Sequence, residues 1–146
     1  MKMKMDIHDF EITSIRTSGR NAFVLRLLDT QTLKSYVMEF SEVKRLCVER
    51  FSLQNVIADV HVYHALSAEF GVRRACRMLD LDLAAATLAL EKGSLVLIEA
   101  ASGAEIACLL AGKDLPDPAL EEGGVNSIKL SSRPRRIGTT NGRKFA

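Results

Sequence analysis

Short apolar segments separated by brief turn-forming clusters run through the first forty residues and constrain the fold more than any other feature. The segments are 6–15, 22–28 and 33–40, and the first and third alternate apolar with polar residues. The clusters between them, 17–21 and 29–32, contain Gly, Asn, Asp and Thr, which favour tight turns. Because turns this short join antiparallel strands, the pattern predicts a three-stranded antiparallel meander.

The next two segments differ in period. Ser41 is a suitable N-cap, and the segment 42–50 after it places Val43, Leu46 and Cys47 at the i, i+3, i+4 spacing of an amphipathic helix lying on the sheet. Residues 55–64 are dense in β-branched residues, which favours a strand. A helix over 55–64 stays open, because its apolar residues also fit helical spacing.

Two helices and a hairpin are expected in the second half of the chain. Ser67 opens one helical stretch, and the Ala- and Leu-rich segment 80–92 forms the next, with Asp80 or Asp82 as its cap and Gly93 at its end. The apolar runs 94–99 and 104–110 flank a small turn and predict a β-hairpin. Val125–Leu130 could supply a last edge strand.

This order of elements predicts an α+β fold, a mainly antiparallel sheet with two or three helices packed on one face. With 146 residues, of which 47% are hydrophobic, the chain is long and apolar enough for one core. We expect a single globular domain over residues 1–128. Residues 129–146 lack the apolar content to order themselves and are expected to form a disordered tail.

Charge is segregated along the chain. The whole sequence holds 20 Lys and Arg against 18 Asp and Glu, yet the tail is purely basic. Its cationic residues are Lys129, Arg133, Arg135, Arg136, Arg143 and Lys144. The tail can therefore contact nucleic acid or another polyanion, contact lipid headgroups, or simply aid solubility.

Composition also indicates the compartment. The first ten residues lack the apolar stretch of a signal peptide, and the most apolar run, 94–112, contains charges that argue against a transmembrane segment. The three cysteines, Cys47, Cys76 and Cys108, are far apart and lie among apolar neighbours. Reduced, buried thiols are typical of a cytoplasmic protein, which is the expected location.

Two groups of residues are candidates for binding a protein partner. Arg73, Arg74 and Arg77 form a basic stripe on a predicted helix, where they would face either water or an acidic partner. Gln54 and Asn55 follow the predicted helix 42–50. They would either satisfy backbone groups of a turn or belong to a recognition loop.

Chemistry-bearing motifs are weak. Asp59 and His61 share a strand face, where a carboxylate can orient an imidazole. His61 and His64 form an HxxH pattern, which places both imidazoles on one face of a helix, where they could bind one metal, but on opposite faces of a strand. No CxxC, HExxH, GxGxxG or GxxxxGK[ST] pattern occurs. We therefore expect no metal, no cofactor and no assembled catalytic residues.

The layout of residues 6–110 resembles that of small bacterial immunity-type proteins encoded beside toxins. The segments that carry the resemblance are F-S-E-V-K-R-L over 40–46, Gln54-Asn55-Val56-Ile57, and the hairpin LVLIEAASGAEI over 95–106. The resemblance implies a compact α+β body that binds and blocks a toxin and performs no chemistry. The basic tail departs from the acidic character of many such proteins.

Three functions follow as hypotheses. The first is a non-catalytic protein-binding protein, and its more specific version is an immunity protein that neutralises a cognate bacterial toxin. The alternatives are a nucleic-acid-associated protein that uses its basic tail, and a small enzyme that uses Asp59, His61 or His64.

Overall fold

A computed structural model describes residues 5–121 of the chain, and the first three apolar segments form the expected meander. Each strand pairs antiparallel with the next, so that Leu25 lies opposite both Ile15 and Met38. Gly19, in the first turn, has a φ of 68°, a conformation that glycine adopts without steric cost.

Between residues 5 and 121 the chain forms eight strands and two helices. They are β1 (Glu11–Thr17), β2 (Phe23–Asp29), β3 (Lys34–Phe40), β4 (Val43–Glu49), β5 (Val56–Tyr63), α1 (Phe70–Met78), α2 (Leu83–Ala89), β6 (Ser94–Ser102), β7 (Glu105–Leu110) and β8 (Ala119–Leu120).

The strands form one sheet in the order β4-β7-β6-β5-β1-β2-β3-β8. Every pairing among these strands is antiparallel. The expectation of a mainly antiparallel sheet is confirmed, and two helices accompany it within the described residues. Strands account for more of the fold than the sequence patterns indicate, because one expected helix is a strand.

The junction between β1 and β5 is short and divides the sheet into two halves, β1-β2-β3-β8 and β4-β7-β6-β5. The two halves share one core. Glu11 and Val56 are the paired residues there, and the Ile57 N–H donates to the Phe10 carbonyl at 3.0 Å. One cluster of buried side chains includes Leu25 and Met38 from the first half and Ile98 and Ile106 from the second. The halves therefore pack against each other.

Both helices pack on the face of the half-sheet β4-β7-β6-β5 that points away from the meander. Leu95 and Leu97 of β6 pack in a second cluster with Val72, Ala75 and Leu79, which belong to α1 and its C-terminus. The half-sheet β4-β7-β6-β5 is thus covered on both faces, by the meander on one side and by helices on the other. This arrangement places α1 and α2 on the outside of the molecule.

The helix expected over 42–50 is wrong, because these residues form β4. Glu42 and Arg50, which flank the strand, have φ values of 55° and 63°, outside the helical range. The register of β4 against β7 shifts between Val43 and Arg45, which marks a bulge.

The bulge explains why the strand has a helical pattern. It inserts one residue, so the residues that face the first core fall at Val43, Leu46 and Val48 instead of strict alternation. Cys47 faces the helices from the other side of the strand. The spacing of Val43, Leu46 and Cys47 therefore reflects two faces of a bulged strand, not one face of a helix.

The other elements follow the sequence patterns. Residues 56–63 form β5, so the strand favoured there is confirmed and the helical alternative is wrong. Asp82 caps α2, since its carboxylate accepts the Ala85 N–H at 2.8 Å. The edge strand proposed at Val125–Leu130 and the tail over 129–146 lie outside the described residues, and β8 pairs with β3 instead.

Neither described helix has the length and apolar content needed to cross a membrane.

Candidate functional site

The three arginines of α1 have different surroundings. Arg74 points at the sheet, where its Nε donates to Glu105 Oε1 at 2.6 Å and its Nη2 donates to Glu49 Oε1 at 3.1 Å. The Arg74 side chain is 12% exposed, and the hydrogen bond to Glu105 is the main reason that its pKa is raised. Arg74 therefore attaches α1 to β4 and β7 and is not available to a partner.

Arg73 and Arg77 lie on the exposed side of the same helix. They are four residues apart and so belong to one face. Among residues 5–121, neither lies within salt-bridge distance of a carboxylate. Two uncompensated guanidinium groups thus stand side by side on the outside of α1.

These arginines border a groove of about 410 Å³ between α1 and α2. We call it the helical groove. Its apolar lining comes from Leu66, Val72, Cys76, Leu81, Leu83 and Ala86, and Asp82 lines it beside α2. The helical groove is therefore an apolar channel with a cationic rim on its α1 side.

The outer face of α2 continues this apolar surface. Within Leu83–Ala89, Ala86 is the one buried residue, whereas Leu83 is 76% and Leu88 is 70% exposed. The sequence of α2, LAAATLA, contains no charged residue. A helix that is apolar on all sides is normally buried, so α2 has the composition of a covered helix and the exposure of an uncovered one.

Hydrogen bonds at the helix ends fix both walls of the groove. Lys113 Nζ donates to the carbonyls of Leu90 and Gly93 at 3.1 and 3.0 Å, just after α2. Arg45 Nη1 donates to the carbonyls of Leu79 and Asp80 at 2.8 and 2.9 Å, just after α1. Cations at helix C-termini satisfy free carbonyls and complement the helix dipole.

Gln54 and Asn55 occupy the loop between β4 and β5. Asn55 is 2% exposed, and its Oδ1 accepts the N–H groups of Ser52 and Ala104 at 2.9 Å each. Its Nδ2 donates to the Ser52 carbonyl at 2.8 Å. This corresponds to the first of the two roles considered for the pair, satisfaction of turn backbone groups, whereas Gln54 itself is exposed.

Asp59 and His61 share a face of β5, as their spacing indicates. His61 Nε2 lies 3.1 Å from Glu99 Oε1 and 3.9 Å from Asp59 Oδ2. No local sequence pattern indicates Glu99, because it reaches this position through the pairing of β5 with β6, where Asp59 lies opposite Glu99. His64 follows the end of β5, and its pKa is lowered by partial burial and by the charge of Lys113.

Asp59, His61 and His64 line neither the helical groove nor a further cavity among the described residues. That cavity, of about 320 Å³, includes Asp6, His8, Asp9, Asp29 and Tyr36. Within residues 5–121 no three His, Cys, Asp or Glu side chains are grouped so that they could hold a metal ion.

The three cysteines are free thiols in different surroundings. Burial raises the pKa of Cys108 to about 12. Burial also raises the pKa values of Cys76, which lines the helical groove, and of Cys47.

Of the partner-binding residues predicted from the sequence, the structure places Arg73 and Arg77 together at the groove and separates Arg74, Gln54 and Asn55 from it. The apolar outer face of α2 was missed, although the absence of charge in LAAATLA could have indicated it. The six basic residues of the tail lie outside the described residues.

No protein family, curated protein or solved structure matches this chain. The chemistry of its own surface is therefore the basis for assigning a function.

Proposed function

We propose that this chain is a non-catalytic protein-binding protein that holds its partner in the helical groove and against the outer face of α2. The observation that carries the proposal is the exposure of Leu83 and Leu88 on a helix that has no charged residue. Covering these two side chains would stabilise a complex by roughly 1.5–3 kcal/mol each. A contribution of this size from one side chain is typical of a residue that anchors a protein–protein interface.

The arrangement around α2 supports an interface. Apolar side chains occupy its centre, and the exposed charges of Arg73, Arg77 and Asp82 lie at its rim. A dry apolar centre with a polar rim is typical of protein–protein interfaces. The fixed helix ends add preorganisation, which lowers the entropic cost of binding.

A toxin domain in the cytoplasm is the partner class that we propose for this surface. The resemblance to immunity-type proteins motivates this assignment, and a blocking protein needs no catalytic residues of its own. Electrostatic attraction by Arg73 and Arg77 would speed encounter with an acidic patch on the partner.

Site-specific photo-crosslinking in the native host tests the binding surface. A photoreactive residue is placed at Leu88 in one variant and at Leu33 in the matched control, since Leu33 is 76% exposed but lies in the turn between β2 and β3. We expect one discrete protein adduct at position 88, identified by mass spectrometry, and no such adduct at position 33. Equal labelling at both positions would contradict the proposed surface.

A co-expression assay tests the toxin partner. The protein cross-linked at position 88 should inhibit growth when expressed alone, and the full chain should restore growth when co-expressed. Leu88→Lys should abolish this protection while Leu33→Lys preserves it. A cross-linked partner that does not inhibit growth would exclude the immunity role and leave the binding surface in place.

A further inference from the structure

We infer that the helical groove binds an amphipathic helix with two acidic residues one turn apart along one flank and no acidic residue along the other. This inference rests on the proposed function and specifies the partner segment. Its basis is the unequal charge of the two walls of the groove.

The α1 wall selects carboxylates. Arg73 and Arg77 are exposed and uncompensated within residues 5–121, whereas the neighbouring Arg74 already binds Glu49 and Glu105. Guanidinium groups four residues apart match carboxylates at i and i+4 of a helix that runs along α1. Such pairs form charge-assisted, bidentate hydrogen bonds.

The α2 wall rejects carboxylates. Asp82 lines the groove there and its Oδ1 already accepts the Ala85 N–H. A second carboxylate brought close to Asp82 would be repelled, whereas a neutral or basic residue would be accepted. The two walls together therefore fix which flank of the incoming helix faces α1.

The floor of the groove selects an apolar face. Leu66, Val72 and Leu81 lie between the helices, and Leu83 continues the surface onto α2. A third helix packed on α1 and α2 would insert its apolar ridge between them, as helices do at interaxial distances of roughly 8–10 Å.

Binding of labelled peptides to the purified full chain tests the inference. The probe peptide is an amphipathic helix with a leucine face, Glu at i and i+4 on one flank and Lys on the other. A second peptide replaces the two Glu by Gln and a third replaces them by Lys. Fluorescence anisotropy should show that the Glu peptide binds at least tenfold more tightly than either of the others.

Charge reversal on the protein should reverse this order. The double variant Arg73→Glu and Arg77→Glu should bind the Glu peptide at least tenfold more weakly than the native chain and should prefer the Lys peptide. The matched control is Arg16→Glu with Arg20→Glu, also exposed and four residues apart, in β1 and the turn after it. The control should bind like the native chain.

Three outcomes would overturn the inference. Equal binding of the three peptides would show that charge does not select the occupant. A dimer of the full chain in sedimentation that Leu88→Lys dissociates would assign the surface to a second copy of the chain. Binding of a small apolar dye in the groove without binding of any peptide would assign it to a small ligand.

The same experiments separate this inference from the proposed function. If position 88 cross-links a cellular protein but no peptide binds, the acidic-helix inference is wrong and protein binding stands. If the Glu peptide binds with the expected charge dependence but no cellular protein cross-links, the groove chemistry is right and the proposed function is wrong.

Discussion

Asn55 joins two separate loops through one buried side chain. It holds Ser52 within its own loop and Ala104 in the turn between β6 and β7. Gly103 in that turn has a φ of 79°, and its α-carbon lies so close to Asn55 Oδ1 that a side chain would collide with it. The amide therefore fixes the β4–β5 loop and the β6–β7 turn relative to each other.

Asn55→Ala should destabilise the fold. It leaves the N–H groups of Ser52 and Ala104 without their acceptor. Ser52 is exposed, so water can replace the lost acceptor there, but Ala104 is buried. Because an orphaned buried donor costs about 1–3 kcal/mol, we expect a loss of that order in the free energy of unfolding. Urea denaturation measures this loss. Gln54→Ala is the adjacent control and should change stability by less than about 0.5 kcal/mol. Equal effects of the two substitutions would contradict the role assigned to Asn55.

Arg74→Met should destabilise the fold more than the same change at its neighbours. Glu105 is 14% exposed and would lose its cation, and removing one partner of a buried ion pair costs about 3–5 kcal/mol. Because Glu49 is 40% exposed and partly hydrated, we expect a loss of about 2 kcal/mol. Thermal and urea denaturation of Arg74→Met, Arg73→Met and Arg77→Met provide the comparison, and similar losses in all three would refute the assignment.

The sequence predicts a basic stripe on α1 but cannot rank its three arginines. Arg73 and Arg74 are identical neighbours in the sequence. Their surroundings differ for two reasons. The buried residues Val72, Ala75 and Leu79 set the rotation of α1 about its axis, so that Arg74 faces the sheet and Arg73 faces outwards. The carboxylates that Arg74 meets, Glu49 and Glu105, are brought together by the pairing of β4 with β7. A pairing between distant strands has no local signal.

At the scale of elements, α2 has a buried leucine at its C-cap and an exposed leucine two residues before it. Leu90, its C-cap residue, is 5% exposed, whereas Leu88 is 70% exposed. We expect Leu90→Ala to cost about 2–5 kcal/mol in stability, as buried leucines do. Leu88→Ala should cost less than about 0.5 kcal/mol. Denaturation curves that move equally for both variants would show that Leu88 is part of the core.

Thiol labelling reports on the groove between the two helices. Burial raises the pKa of Cys76, and the thiolate is the reactive form. Its labelling by iodoacetamide should therefore keep accelerating as pH rises through 9. Cys108, with a pKa of about 12, should label only on unfolding. Mass spectrometry of the labelled peptides separates the sites, and rapid labelling of Cys108 at pH 7 in the native chain would contradict its burial.

Secondary structure is predictable where one residue period dominates, and in β4 a bulge replaces that period with helix-like spacing. The strands β2 and β3 are recovered because their apolar residues and turns agree. Strand β4 is lost because the residue inserted near Lys44 moves Leu46 and Cys47 out of alternation. The bulge depends on pairing with β7, which no local window contains.

For the whole molecule, two cores of different size predict two levels of local stability. The first core joins both halves of the sheet, whereas the second is smaller and holds α1 and α2 on one face. Elements with fewer buried contacts open at lower free energy. Native-state hydrogen exchange should therefore show faster exchange for α2 amides than for β6 amides. Indistinguishable protection of α2 and β6 would contradict this order.

The position of β4 in the sheet has a consequence for synthesis on the ribosome. Within the described chain its pairing partner is β7, which is translated only after β5, α1, α2 and β6. Until then β4 carries unpaired backbone groups beside an apolar face, a state that invites association between nascent chains. Slowing translation between β4 and β7 should therefore lower the yield of native protein.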